Sequence, residues 1–194
     1  MKRLFDLAIT VCVLLVSWPL MAVIAMLIRR DSPGPVFFTQ TRIGENGRTF
    51  KMIKFRTMVA DAERLGPPVE HDEHGQRIYK TPGDSRITQV GRWLRRLSLD
   101  EFPQLFNVLR GEMSLVGPRP EMEFIARRYE PWQMRRLAVP PGITGWWQVN
   151  GRSDLPMHLN VEYDLYYIRN YSLWLDIKIL WKTVGTVIRG QGAY

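Results

Sequence analysis

A mainly α fold with one short β-hairpin (α+β), attached to an N-terminal membrane segment, is the class that three features of the 194-residue sequence predict. The first is an apolar run without a charged residue, Leu7 to Ile28. The second is a pair of strand-like segments, VFFTQTRIG and TFKMIKF, separated by Glu45-Asn46-Gly47-Arg48. The third is a pair of basic stretches with helical periodicity, ITQVGRWLRRL from Ile87 and YSLWLDIKILWKTVGTVIRG from Tyr171. A chain of this length makes one compact unit, so the membrane element needs no linker. The net charge of +8 calls for anionic partners: nucleic acid, an anionic membrane surface or a phosphorylated small molecule. Cys12 is the sole cysteine, which excludes a disulfide framework and a thiolate metal cluster. His71, His74 and His158 do not form a zinc pattern.

Leu7 to Ile28 is long enough, at about 1.5 Å per residue, to cross a hydrocarbon core. Lys2 and Arg3 precede it and Arg29 and Arg30 follow it, so the positive-inside bias places both ends on one side. Pro19 lets the segment enter the bilayer and return, because it removes a backbone donor, frees the Leu15 carbonyl and bends a helix. Ser17 is placed to bond a carbonyl one turn back. A kinked single span and a cleaved signal peptide are the alternatives, although no small-x-small cleavage site precedes Arg29.

The Asn-Gly pair supplies the positive-φ positions of a tight hairpin. The hairpin runs into KFRTM, where Lys54 and Arg56 lie two apart, either as a phosphate-holding pair or as a solvated basic edge. Residues 66–85 are rich in Gly, Pro and charge and read as a mobile loop. The next helix carries Val90, Trp93, Leu94 and Leu97 on one side, with Arg92, Arg95 and Arg96 on the others; it lies at a lipid interface or packs on a core. Ser98 is then a candidate N-cap for SLDEFPQLFNVLRG, with Glu101 completing a capping box. On that reading Asp100 and Glu101 complement the helix macrodipole. Arg119 is held between two prolines in SLVGPRPE, and Trp146 and Trp147 are read as an exposed pair at a membrane interface. The terminal helix sets Leu173, Ile177, Leu180, Val184 and Ile188 in a stripe, with Trp174 and Trp181 beside it.

Taken in order, KRLFD, the apolar segment, DSPGPVFFTQTRIG, FKMIKFRTM, LRRLSLDEFPQL, SLVGPRPE, PPGITGWWQVNGR and RGQGAY resemble the bacterial sugar transferase family. These are monotopic phosphoglycosyl transferases that start cell-surface glycan assembly. The resemblance covers nearly the whole chain, with only residues 66–80 outside it. It implies transfer of a sugar 1-phosphate from a UDP-sugar to polyprenol (undecaprenyl) phosphate, with release of UMP and with Mg²⁺ required. It implies that Asp100 is the nucleophile, forming an aspartyl phosphosugar, and that Glu101 assists with the metal or the lipid phosphate, so both acids are metal candidates. Lys54, Arg56, Arg95 and Arg119 map to substrate and phosphate handling.

It further implies a re-entrant helix-break-helix over residues 1–31, with the break at Ser17 and Pro19, and a membrane-associated cytoplasmic domain over residues 32–194 ringed by interfacial helices. Family members often carry Ser directly before Pro, whereas this chain has Ser17-Trp18-Pro19. The expected location is the cytoplasmic face of the bacterial inner membrane, among its lipids. The chain reads as the catalytic core alone, and its exposed aromatics and basic surface are compatible with a homodimer. Two rival readings are direct attack by the lipid phosphate in a ternary complex, and a non-enzymatic basic membrane adaptor. A nucleic-acid partner is not expected, since no binding motif is present and an apolar hairpin has no use there. The sugar is not legible; residues 140–152 and Tyr163-Asp164 are candidates for reading it.

Overall fold

The computed structural model describes residues 1–62, 64–65, 70–71, 77–78, 84–150 and 160–189. Among them the chain is mostly helical with three two-stranded sheets. Helix α1 (Lys2–Asp31) is followed by the hairpin β1 (Phe37–Ile43) and β2 (Thr49–Phe55), then by the short pair β3 (Glu70–His71) and β4 (Arg77–Ile78). Helices α2 (Gln89–Arg96) and α3 (Gln104–Arg110) lead to β5 (Ser114–Val116), α4 (Glu123–Ala126) and α5 (Pro131–Met134). Strand β6 (Gly142–Thr144), α6 (Trp146–Asn150), α7 (Glu162–Arg169) and α8 (Leu173–Arg189) complete the described chain.

The hairpin forms where the sequence predicts it, with Phe37 opposite Phe55 and Ile43 opposite Thr49. Asn46 (φ 54°) and Gly47 (φ 77°) take the two left-handed positions that the tight turn requires. β3 and β4 pair inside the stretch expected to be a mobile loop. Apart from Asp84 and Ser85, the rest of that loop lies outside the described residues, as do His74, His158, Gly151, Arg152 and most of RGQGAY.

The parallel pair β5 and β6 has no counterpart in the sequence prediction. Each strand has three residues, too few for an alternation signal, and the pairing is made by sequence-distant segments. Glycine permits it: a Cβ on Gly142 would sit 2.1 Å from the Gly117 amide nitrogen. The main core gathers Phe50 and Met52 from β2, Leu105 and Val108 from α3, Leu115 and Val116 from β5, Tyr167 from α7 and Ile179 from α8. Burial of such side chains stabilises by about 1.5–3 kcal/mol each.

α1 is one element with Pro19 inside it, rather than two helices separated by a break. Its buried residues, Asp6, Thr10, Ser17, Met21, Ile24 and Ile28, recur at helical spacing and face the body. The opposite side exposes Leu15, Val16, Trp18 and Val23. The helix is long and apolar enough to cross a membrane. Ser17 Oγ meets Met21 Sδ at 3.9 Å, one turn ahead, instead of bonding the carbonyl one turn behind.

Both ends of α1 are fixed to the same globular body. At the N-terminal end Lys2 Nζ lies 2.7 Å from Asp176 of α8, and Arg3 Nη1 donates to the Val108 carbonyl at 2.6 Å. Ser114 Oγ donates to Asp6 at 2.9 Å. At the C-terminal end the Arg56 guanidinium takes the carbonyls of Ile28, Ser32 and Pro33, and the Val90 amide donates to Asp31 at 2.9 Å.

Two surface expectations are corrected. Trp147 is buried and Trp146 stacks on Tyr166 at 5.1 Å, so they are not an exposed pair; α6 is packed against α7 and α8. In α8 the buried side is Leu175, Asp176 and Ile179, while Ile177 and Val184 of the predicted stripe are exposed together with Trp174 and Trp181. The terminal helix thus has an apolar side turned inward and another turned outward.

Candidate active site

Asp100 and Glu101 lie on a 3₁₀ turn, Leu99–Glu101, between α2 and α3. Ser98 ahead of it is left-handed (φ 54°, ψ 21°), a conformation unlike the extended backbone of an N-cap, and its side chain makes no cap bond. The expected capping box is absent because Glu101 turns toward stronger partners. Its Oε1 accepts from Lys54 Nζ at 2.9 Å and from Arg119 Nη2 at 2.8 Å. Two charge-assisted bonds outweigh one bond to a neutral amide. Burial opposes the Glu101 charge, but Arg119 and Lys54 prevail and hold the carboxyl well below the usual carboxylate range.

Asp100 is treated differently by the same surroundings. Among the described residues its carboxylate makes no hydrogen bond and no ion pair. Burial pushes the carboxyl up; Lys54 pulls it down, the adjacent Glu101 charge pushes it further up, and Arg95 and Arg119 pull it down more weakly. The net direction is upward. One acid is clamped and anionic, and its neighbour is a free, more basic carboxylate facing three cations.

α2 positions Arg95. Thr88 caps that helix, its Oγ1 accepting from the Gly91 amide at 3.0 Å, and Arg95 Nε donates to Thr57 Oγ1 at 2.9 Å. A Cβ at Gly91 would meet the Thr57 carbonyl oxygen at 2.0 Å, so only glycine lets α2 approach the segment after β2 this closely. Burial lowers the Arg95 pKa, and the Asp100 charge acts against that fall.

Arg119 is carried by the Pro-Arg-Pro turn, and a buried network holds that turn from beneath. Arg136, fully buried, donates through Nη2 to the Arg119 carbonyl at 2.9 Å and pairs with Asp164 at 2.6 Å. Glu121 accepts from Tyr129 at 2.7 Å and lies 3.5 Å from Arg136 Nη1. Arg136 and Glu121 are not marked by sequence reasoning; a charged pair with no local spacing signal looks like surface until the chain folds. Asp164, proposed from sequence to read the sugar, is buried in this network. Arg42 is a further cation missed: its Nη2 donates to Gln40 Oε1 at 2.6 Å, and burial together with the nearby Arg119 charge lowers its pKa to about 10. Gln40 and Arg42 share one face of β1, the periodicity that would have marked them.

Lys54, Arg95, Arg119, Asp100 and Glu101 are therefore brought together. Arg56 is not among them. β2 ends at Phe55, so the two-residue alternation that would keep Arg56 beside Lys54 stops there. Its guanidinium bonds the Ser32 and Pro33 carbonyls just past the negative end of α1, and Gly34 (φ 120°) leaves room for it.

The profile of the family described as "Bacterial sugar transferase" matches residues 1–190. A UDP-glucose:undecaprenyl-phosphate glucose-1-phosphate transferase of Xanthomonas campestris pv. campestris is 48% identical over 100% of this chain and 40% of its own length. A UDP-N-acetylgalactosamine-undecaprenyl-phosphate N-acetylgalactosaminephosphotransferase of Aeromonas hydrophila is 42% identical over 99% of this chain and 44% of its own. The exopolysaccharide production protein ExoY of Rhizobium meliloti is 42% identical over 100% of this chain and 88% of its own. The chain thus spans about two fifths of the first two relatives and most of the third.

Proposed function

Since the chain belongs to the bacterial sugar transferase family, we propose that it moves a sugar 1-phosphate from a UDP-sugar to polyprenol phosphate through a covalent intermediate on Asp100. The observation that carries this reading is the division of labour in the acid pair. Glu101 is held anionic by Lys54 and Arg119, while Asp100 is left free and more basic beside Arg95. A carboxylate that only complemented a helix or a cation would be engaged, as Glu101 is.

In the first half-reaction an Asp100 oxygen attacks the phosphorus bearing the sugar, the P–O bond to UMP breaks, and UMP leaves. In the second, an oxygen of the polyprenol phosphate attacks the same phosphorus, and the Asp100 carboxylate departs as the sugar diphosphoryl polyprenol forms. Lys54, Arg95 and Arg119 neutralise the phosphate oxygens that would repel the attacking carboxylate. The two acids suit Mg²⁺, which takes one or two carboxylates and completes its shell with water and substrate phosphates. The described residues offer no cluster of three acidic, His or Cys ligands for an all-protein site. When bound, Mg²⁺ supplies further charge neutralisation at the diphosphate.

The fixing of both ends of α1 to one body supports a re-entrant placement. A straight helix of 30 residues would run roughly 45 Å, and a span would carry one end to the far side of the bilayer. With Lys2 and Arg56 both anchored to the catalytic body, the exposed middle of α1 dips into the lipid and both ends stay on the cytoplasmic face of the inner membrane.

The reaction is tested by supplying detergent-purified protein with Mg²⁺, polyprenol phosphate and one UDP-sugar at a time. UMP release with one donor, dependent on the lipid for turnover, is expected; no release with any donor removes the assignment. A pH–rate profile tests the electrostatics separately. Lys54 holds the Asp100 carboxyl down, so Lys54→Met should lower turnover and move the acid limb to higher pH. An acid limb that stays in place would contradict it.

A further inference from the structure

The hairpin face that presents Lys54 carries a further cation, Arg42, to which the transfer chemistry above gives no task. Phe38 stands opposite Lys54, and Gln40 and Arg42 follow on the same face of β1. Gln40 Oε1 accepts from Arg42 Nε at 3.1 Å and from Nη2 at 2.6 Å, and Nη1 reaches the Pro120 carbonyl at 3.4 Å. The guanidinium plane is thereby fixed, with N–H groups on both terminal nitrogens still free to donate. These partners are neutral, and among the described residues no carboxylate pairs with Arg42. The acids whose charges reach it are engaged elsewhere, Glu101 by Lys54 and Arg119, and Glu121 by Tyr129 and Arg136. A half-buried cation set near Arg119 without a counter-charge is a place for an anion that the chain does not supply.

Its place in the row of charges says which anion. The Asp100 charge acts on Arg95, both acids act on Arg119, and the Glu101 charge acts on Arg42. Arg42 thus stands past Arg119, away from the attacking carboxylate, where an in-line displacement puts the leaving group. Beside Gln40 the strand edge opens into a space of about 460 Å³ walled by Thr41, Met122, Phe124 and Arg127. The Ile43 amide donates to the Glu121 carbonyl at 2.9 Å, so alternation turns the N–H and C=O of Thr41 outward along the same edge, where no strand of the described residues covers them. Phe124 is 60% exposed. One donor, one acceptor and a flat aromatic face complement a uracil ring, which offers a carbonyl beside an N–H and a face to stack.

From the order of Arg119, Arg42 and the Thr41 edge we infer that the outer edge of β1 binds the nucleotide half of the donor, with Arg42 on the phosphate that leaves as UMP and Gln40 as its positioning residue. The inference rests on the transfer reaction proposed above. When an Asp100 oxygen bonds the sugar-bearing phosphorus, the bond from that phosphorus to the bridging oxygen breaks, and its electron pair stays on the oxygen that departs with UMP. Arg42 meets that growing charge, and no proton has to move.

UMP is the probe, since it binds without turnover. In calorimetry with Mg²⁺ and the full chain in detergent, Arg42→Gln should weaken UMP and inorganic pyrophosphate alike by about tenfold or more. Phe124→Ala should weaken UMP about tenfold and leave pyrophosphate within about twofold. An unchanged UMP affinity in either variant would overturn the placement. The half-reactions separate a nucleotide contact from a merely structural part. Arg42→Gln and Gln40→Ala should each slow formation of the enzyme-bound phosphosugar about tenfold or more, while discharge of adduct already formed and freed of UMP stays within about twofold of the parent, since no nucleotide takes part. Equal slowing of loading and discharge would also overturn the inference. The two proposals fail separately: a loaded parent whose UMP affinity ignores these variants sinks only the nucleotide edge, and UMP affinity that responds to them with no loading from any donor sinks only the reaction.

Discussion

Asp100→Asn is expected to lower turnover by about 10⁴-fold or more while slightly raising the thermal midpoint of the protein at neutral pH. The first effect follows from removing the attacking oxygen, for which no neighbouring group can substitute, since Glu101 is committed to two cations. The second follows from linkage. A carboxyl whose pKa is raised on folding contributes stability that is complete below its unfolded pKa and lost as pH rises through its folded pKa. At neutral pH the Asp100 charge is therefore a cost to the fold, and the neutral amide removes it. Glu101 has the opposite sign: its depressed pKa gives stability present above the unfolded value and lost as pH falls, so Glu101→Gln should lower the midpoint. Thermal scans of the two variants at neutral pH check the contrast, and a destabilised Asp100→Asn would mark Asp100 as structural.

The largest stability loss is expected at a residue that does not touch the acids. Arg136→Met leaves Asp164 and Glu121 buried without their cation and removes the donor that holds the Arg119 carbonyl. Breaking a buried pair from one side costs about 3–5 kcal/mol. Turnover should fall with it, because the Pro-Arg-Pro turn loses its support and Arg119 its aim at Glu101. Combining Arg136→Met with Asp164→Leu should recover part of the lost stability, since apolar residues on both sides leave fewer charges uncompensated. Chemical denaturation of the single and double variants reads both steps; equal stability in Arg136→Met and the parent would show that the network does not support the turn.

What the sequence disclosed and what it hid divide along the range of the interactions. The hairpin was legible because its signal is local: alternation on two segments and positive-φ residues at Asn46 and Gly47. The acid pair and its cations were legible as members of ordered motifs, and the fold brings Lys54, Arg95 and Arg119 to them. Periodicity misjudged Arg56 because a strand ended one residue sooner than the pattern assumed. It misjudged Ser98 because capping statistics weigh one amide bond and cannot see the two cations that redirect Glu101. β5, β6 and the Arg136 network were hidden for a common reason. Their partners are far apart in the chain, and segments of three residues carry no periodic signature. Trp146 and Trp147 show the same limit from the other side, since a pair of aromatics looks interfacial until α7 and α8 cover it.

The central claim is that Asp100 becomes covalently loaded. Its most direct measurement is the intact mass of the protein after incubation with Mg²⁺ and a panel of UDP-sugars in the absence of lipid, for the parent and for Asp100→Asn. The account predicts a gain of one phosphosugar with a particular donor, absent in Asp100→Asn and discharged when polyprenol phosphate is added. UMP release that occurs only once the lipid is present, with no adduct at any time, would contradict it and assign the attack to the lipid phosphate itself.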